Sequence, residues 1–134
     1  MIVIDASALA KFILKEDGWK EVAEYLKTGT LSVDQIVKEG TNVVWKKFRQ
    51  GTVSLEEAKT MLKALKEILE RAIKVEGELT YIDEAAKISF NRDVTVYDSL
   101  YIAMAKEKKL RLLTADETQA EAAIAENVAT ILLK

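Results

Sequence analysis

Four acidic residues hold most of the chemistry this sequence can offer: Asp5, Glu39, Asp98 and Asp116. Each stands where a strand-like run ends or a helical pattern turns toward apolar residues, a place where carboxylates are rarely buried without a partner. The chain has no His and no Cys. That excludes imidazole bases, thiol nucleophiles, Cys/His zinc sites and Ser-His-Asp triads, so catalysis would rest on carboxylates, hydroxyls, Lys or a metal. Two carboxylates about 4 Å apart repel by about 4 kcal/mol at an effective dielectric near 20. Four that converge would be forced to hold a proton or to recruit a cation, and an all-oxygen donor set favours Mg2+ or Mn2+. The natural use of such a site is phosphoryl chemistry by a metal-activated water.

Each acid also has an ordinary explanation. Asp5 follows a strand and can cap the next helix, with Ser7 sharing the turn. Thr95-Val96-Tyr97-Asp98 fits a capping box, and Thr114 to Glu117, around Asp116, fits another. Glu39 is harder to explain. It borders the apolar stripe of its helix, between Ile36 and Val43, with Asn42 one turn along. The neighbouring Gly40 costs about 1 kcal/mol relative to Ala in a helix and suggests close approach by another element.

The elements that must position these residues read as follows. Ile2-Val3-Ile4 is a buried strand ending in Asp5, followed by helical patterns over about 7–14 and 18–27, the second closed by Gly29. Residues 30–33 are extended at best. Asp34 offers an N-cap for a helix reaching Arg49, and Ser54 opens a capping box for the longest helix, expected to run to about Val75. Its heptad pattern is too short for an independent coiled coil; it suits a helix packed on its own core, or else a helix-pair or dimer contact. A short strand over 79–82, a helix over 83–90 and a helix from Thr95 to about Lys108 follow. The strand 111–114 leads to Asp116, then an Ala-rich helix to Glu126 and a last strand over 130–133. Short apolar strands separated by helices predict an α/β fold with a mostly parallel sheet. In such sheets ligands bind outside the carboxyl ends of the strands, where Asp5 and Asp116 both lie.

With 134 residues and 49% hydrophobic content, one domain spanning 1–134 with one core is expected. The apolar runs are short, so no membrane span is expected, and a cytoplasmic location is the default. A net charge of −2 gives no overall basic surface of the kind nucleic-acid binders carry. Local contacts to phosphate could come from Lys11, Lys15, Lys46, Lys47 and Arg49, although charged residues ordinarily populate solvated helix faces. Tyr97, Tyr101, Trp45 and Phe48 read mainly as core by their spacing, with base stacking as the lesser alternative.

Four stretches taken together resemble the PIN-domain family, in particular its small VapC-like members. They are residues Ile2 to Lys11, Glu39 to Lys46, Thr95 to Ala105 and Leu112 to Asp116, in that order across nearly the whole chain. The resemblance implies a three-layer, Rossmann-like α/β/α sandwich and a Mg2+- or Mn2+-dependent endoribonuclease. Asp5, Glu39, Asp98 and Asp116 would form its acidic cluster and hold the metal, Glu39 and Asp98 directly or through water. Ser7, Asn42 and Thr114 match positions that support the carboxylates by hydrogen bonds. The resemblance further implies a homodimer, an RNA substrate and a small antitoxin partner.

Rival readings remain open at the level of sequence. A nuclease could act in RNA processing or decay, and a binding module could grip RNA or protein without cleaving it. An aspartyl-phosphate phosphatase would want a second Asp where Ser7 stands, and a receiver domain would have an early acidic pair with its phosphoacceptor on a middle strand.

Overall fold

The computed structural model describes all 134 residues. Five strands, β1 (Ile2–Ile4), β2 (Thr30–Val33), β3 (Ile73–Glu76), β4 (Leu112–Thr114) and β5 (Thr130–Leu132), form one sheet in the order β3-β2-β1-β4-β5. Every pairing is parallel. The central strand β1 aligns Val3 with both Leu31 and Leu112, and all three of its residues are buried. A β-branched run without polar alternation suits a strand covered on both faces.

Seven helices cover the sheet: α1 (Ala6–Ile13), α2 (Trp19–Thr28), α3 (Gln35–Arg49), α4 (Leu55–Arg71), α5 (Ile82–Arg92), α6 (Val96–Lys108) and α7 (Glu117–Ala125). Their contacts separate them into two layers. α1 packs against α2, α3 and α4, whereas α6 packs against α5 and α7. The parallel sheet is the one the alternation of elements predicts, and the three-layer α/β/α sandwich is the one the family resemblance implies. Helix α6 is buried without a break from Ser99 to Ala105, as a helix that is apolar nearly all round must be.

The region between α4 and α5 departs from the expectation. α4 ends at Arg71, and Ile73-Lys74-Val75-Glu76 pairs with β2 instead of prolonging the helix. The predicted strand over 79–82 is a 3-10 turn, Glu78–Tyr81, that leads into α5. Two β-branched residues at alternate positions favour a strand. Thr30 also donates to the Ala72 carbonyl at 2.8 Å, holding β3 to β2 where the helix stops. Residues 30–33, expected to be at best extended, form a fully buried strand. Asp34 does not cap α3; its carboxylate accepts from the Glu78 N–H at 3.2 Å. The Ser54 capping box is complete, with Glu57 N–H donating to Ser54 Oγ at 3.1 Å and Ser54 N–H to Glu57 at 2.8 Å.

Candidate active site

The strand order reverses at β1: the chain lays down β2 and β3 on one side and returns to place β4 and β5 on the other. This is the topological switch point at which open α/β sheets bind ligands. Asp5 follows β1 and Asp116 shortly follows β4, so two adjacent parallel strands deliver a carboxylate to the same edge.

Asp5 is almost fully buried, at 2% exposure. It caps α1 by accepting from the Ala8 N–H at 2.9 Å, and the Ser7 hydroxyl donates to the same oxygen at 2.7 Å. Its other oxygen accepts from the Thr114 hydroxyl. Each hydroxyl has a single proton to give. Ser7 and Thr114 direct theirs at Asp5, then accept from the Ala115 N–H at 2.8 Å and the Asp116 N–H at 3.0 Å. The two hydroxyls thus clasp the carboxyl ends of β1 and β4 around one carboxylate. Burial raises the Asp5 pKa to about 6; the three donors oppose the rise and nearby Asp116 adds to it.

Asp116 caps α7, accepting from the Gln119 N–H at 3.0 Å. Asp98 lies in the first turn of α6. Its N–H donates to Thr95 Oγ1 at 3.3 Å, while its carboxylate does not complete the capping box and has no hydrogen-bond partner in the protein. Burial first, then Asp116, then Glu39 raise its pKa to about 6. Glu39 is half-buried on α3 and accepts from the Tyr101 hydroxyl of α6 at 2.6 Å. Burial pushes its pKa up and the Tyr101 hydrogen bond opposes that. The Tyr101 phenol is held far above its ordinary range by burial, then by Glu39, so it stays protonated and donates.

The four predicted acids are therefore linked electrostatically, Asp5 to Asp116, Asp116 to Asp98 and Asp98 to Glu39. None of them is in an ion pair. No three acids are gathered closely enough to form one ligand cluster. An ion held here would therefore take one or two of these carboxylates at a time and not a cage of protein ligands. Mg2+ keeps several waters and takes one or two carboxylates, completing its shell from a substrate phosphate.

Other predicted residues are placed differently. Asn42 is exposed, and the supporting hydrogen bond expected of it to an acid is not formed. Lys46, Lys47 and Arg49 occupy the last turn of α3, roughly 10–15 Å along the helix from Glu39. Lys11 ends α1, and Lys15 lies over the rings of Phe12 and Trp19 at 4.0 and 4.3 Å. Of the four aromatics read mainly as core, only Tyr101 is buried; Tyr97, Trp45 and Phe48 are 62%, 53% and 42% exposed. Their spacing places them on the apolar side of their helices, but spacing does not show whether another element covers that position.

Three polar residues near the acids escape a reading based on acids alone. Tyr101 orients Glu39. Buried Gln35 donates to the Tyr97 carbonyl at 2.5 Å, a second tie between α3 and α6. Gln119, 1% exposed, has an Nε2 with no partner. A polar group inside an otherwise apolar run was the available signal for Tyr101; Gln35, one turn before Glu39, offered a weaker one.

The model of the PIN domain family matches residues 2–125. The chain belongs to the PIN-domain family. Among its PIN-domain relatives, Ribonuclease VapC3 of Pyrobaculum aerophilum is 33% identical over 124 residues, covering 90% of this chain and 92% of the relative. Exonuclease VapC9 of the same organism is 30% identical over 133 residues, covering 98% of this chain and 93% of the relative. The crystal structure of PAE2754, also from Pyrobaculum aerophilum, superposes with a TM-score of 0.73 at 24% identity, over 96% of this chain and 82% of that one. This last likeness shows the PIN-type fold.

Proposed function

We propose that this protein is a VapC-like nuclease that hydrolyses RNA phosphodiesters with Mg2+ or Mn2+. The observation that carries the reading is the row of four acids without an ion-pair partner, each repelled by its neighbour in the row, that starts from Asp5 and Asp116 at the switch point of the sheet. The names of the two relatives support nuclease activity, and that of Ribonuclease VapC3 supports RNA as the substrate class.

Asp5 and Asp116, on adjacent strand ends, would hold the cation most directly, with Asp98 and Glu39 as direct or water-mediated ligands. When bound, the cation would neutralise charge on the attacked phosphate and acidify the attacking water. Ser7 and Thr114 fix the Asp5 carboxylate, each donating its only hydroxyl proton to it. Tyr101 orients Glu39 by donating its hydroxyl proton to the carboxylate. Hydrolysis by in-line attack would leave 5′-phosphate and 3′-hydroxyl ends. A small antitoxin protein and pairing of two copies are the partners this VapC-like reading carries.

The test is cleavage of a circular single-stranded RNA with Mn2+ or Mg2+, beside Asp98→Asn. Nicking of the circle by the native chain and not by the variant is expected, since an exonuclease needs an end. Full metal-dependent cleavage by Asp98→Asn would remove the acidic cluster from the mechanism.

A further inference from the structure

We propose that the Tyr97 ring stacks on an unpaired nucleobase of the RNA next to the phosphate being cut. This rests on the nuclease reading above. Tyr97 and Tyr101 are four residues apart on α6, so they share a face of the helix about 6 Å apart along its axis. The Tyr101 hydroxyl marks where that face points, since it donates to Glu39 and lies near enough to Asp5 to feel its charge. Tyr97 therefore lies one turn nearer the N-terminus of α6 on the same side of the helix, next to Asp98 in sequence. Side chains on a helix lean toward its N-terminus, which carries the ring past the end of α6 to the rim of the crevice.

Its exposure alone would mean little, because single apolar residues on surfaces are common. The position is what distinguishes it. Its backbone is fixed twice, by the Thr95 cap of α6 and by the buried Gln35 amide, which donates to the Tyr97 carbonyl at 2.5 Å. The residue is 62% exposed on a backbone held in place. Apart from the cation, the chain's own charges supply little affinity here. The crevice is lined by acids, the chain carries a net charge of −2, and the basic residues that end α3 lie well away from Glu39. A binding contribution that does not depend on phosphate charge is what a single strand offers through its bases, which stack on aromatic rings in proteins that bind unpaired RNA.

The experiment uses a single-stranded RNA oligonucleotide with a mapped cut site and a set of copies, each abasic at one nucleotide flanking the cut. Cleavage by the native chain, Tyr97→Trp and Tyr97→Ala is compared. Tyr97→Ala is expected to raise KM about 5- to 150-fold with a smaller change in kcat, the range that loss of one stacked base gives. Tyr97→Trp should stay near native. One abasic position should cost the native chain a similar factor and cost Tyr97→Ala nothing further. If every abasic copy weakens both proteins alike, the proposal is overturned. Melting temperatures of the variants should match the native one, as expected for an exposed side chain. If the native chain cuts no RNA, quenching of 2-aminopurine in the same oligonucleotides decides the stacking separately. Quenching lost in Tyr97→Ala would retain the stacking and reject the nuclease reading, and quenching equal in both, or absent from both, would reject the stacking.

Discussion

Asp98 shows how one side chain can satisfy a local rule and still be free for chemistry. Thr95 accepts from the Asp98 N–H, but the Asp98 carboxylate does not reach back, whereas Glu57 does so at Ser54 with its extra methylene. The capping pattern was legible in the sequence; the unused carboxylate was not, because it depends on reach. Asp5 and Asp116 do cap their helices and lie in the acidic line as well, so the two explanations weighed for them are compatible. Asp98→Asn should cut metal-dependent cleavage roughly 10²–10³-fold, the usual cost of losing one group that handles transition-state charge. In EDTA at pH 7 the same variant should melt higher, by about 2–4 °C, because it removes a repelled charge from a half-buried site where solvent screening reduces the gain. Activity and stability moving in opposite directions is the signature; a lower melting temperature would count against crowding. Tyr101→Phe should cost about 1–2 kcal/mol in urea denaturation, the price of one hydrogen bond to a carboxylate. Losing a donor to the charged form raises a carboxyl pKa further, so the acidic limb of the pH–rate profile should move to higher pH.

At the scale of elements, α3 has to reach two partners at once, and Gly40 is what lets it. A Cβ built there would lie 3.3 Å from Leu65 Cδ1 of α4 and 3.8 Å from Leu9 Cδ2 of α1. The close approach suggested by a glycine inside a helix is therefore real, and it holds α3 where Glu39 meets Tyr101. Gly40→Ala sets a helix-propensity gain of about 1 kcal/mol against the need for buried Leu65 to shift by a few tenths of an ångström, and should stay within about 1 kcal/mol of native. Gly40→Val adds two methyl groups to the same contact and should destabilise by about 2–3 kcal/mol in chemical denaturation, with a parallel loss of activity as α3 is pushed off α4. Helices whose patterns were long, such as α3 and α6, were legible from end to end. The start of β3 was not: a heptad running through Leu69 and Ala72 extends readily to Val75, and only pairing with β2 shows that the chain has already become a strand. The exposed rings of Trp45 and Phe48 were misread for the same reason, since spacing tells which residues share a face and not whether another element covers it.

Over the whole molecule, two sets of carboxylates pull the pH dependence of stability in opposite directions. Asp5 and Asp98 have folded pKa values near 6, above those of the unfolded chain, so the folded state keeps protons that the unfolded state releases and stability falls as pH rises from about 4 to 6. Glu126 is the reverse. Lys106 and then Arg92 hold its pKa below the ordinary value, within a network that joins α5 and α6 to the end of α7. Its contribution is present above the unfolded pKa and is lost as pH falls through the lowered one; Glu76, bonded to Tyr81 and Lys108, acts likewise. In EDTA the melting temperature should therefore peak near about pH 4 and decline by a few degrees as the pH rises through about 6. A divalent cation that binds the ionised acids of the folded state stabilises it by mass action and competes with protons for the same oxygens. Millimolar Mn2+ or Mg2+ should thus raise the melting temperature at pH 7 far more than at pH 5, flattening the neutral arm and leaving the acid arm governed by Glu126 unchanged. Asp98→Asn should flatten part of that arm without any cation. A melting temperature that does not fall between about pH 4 and 6 in EDTA would mean that the salt-bridged carboxylates outweigh the repelled ones, and would remove the electrostatic strain from which a cation site is proposed.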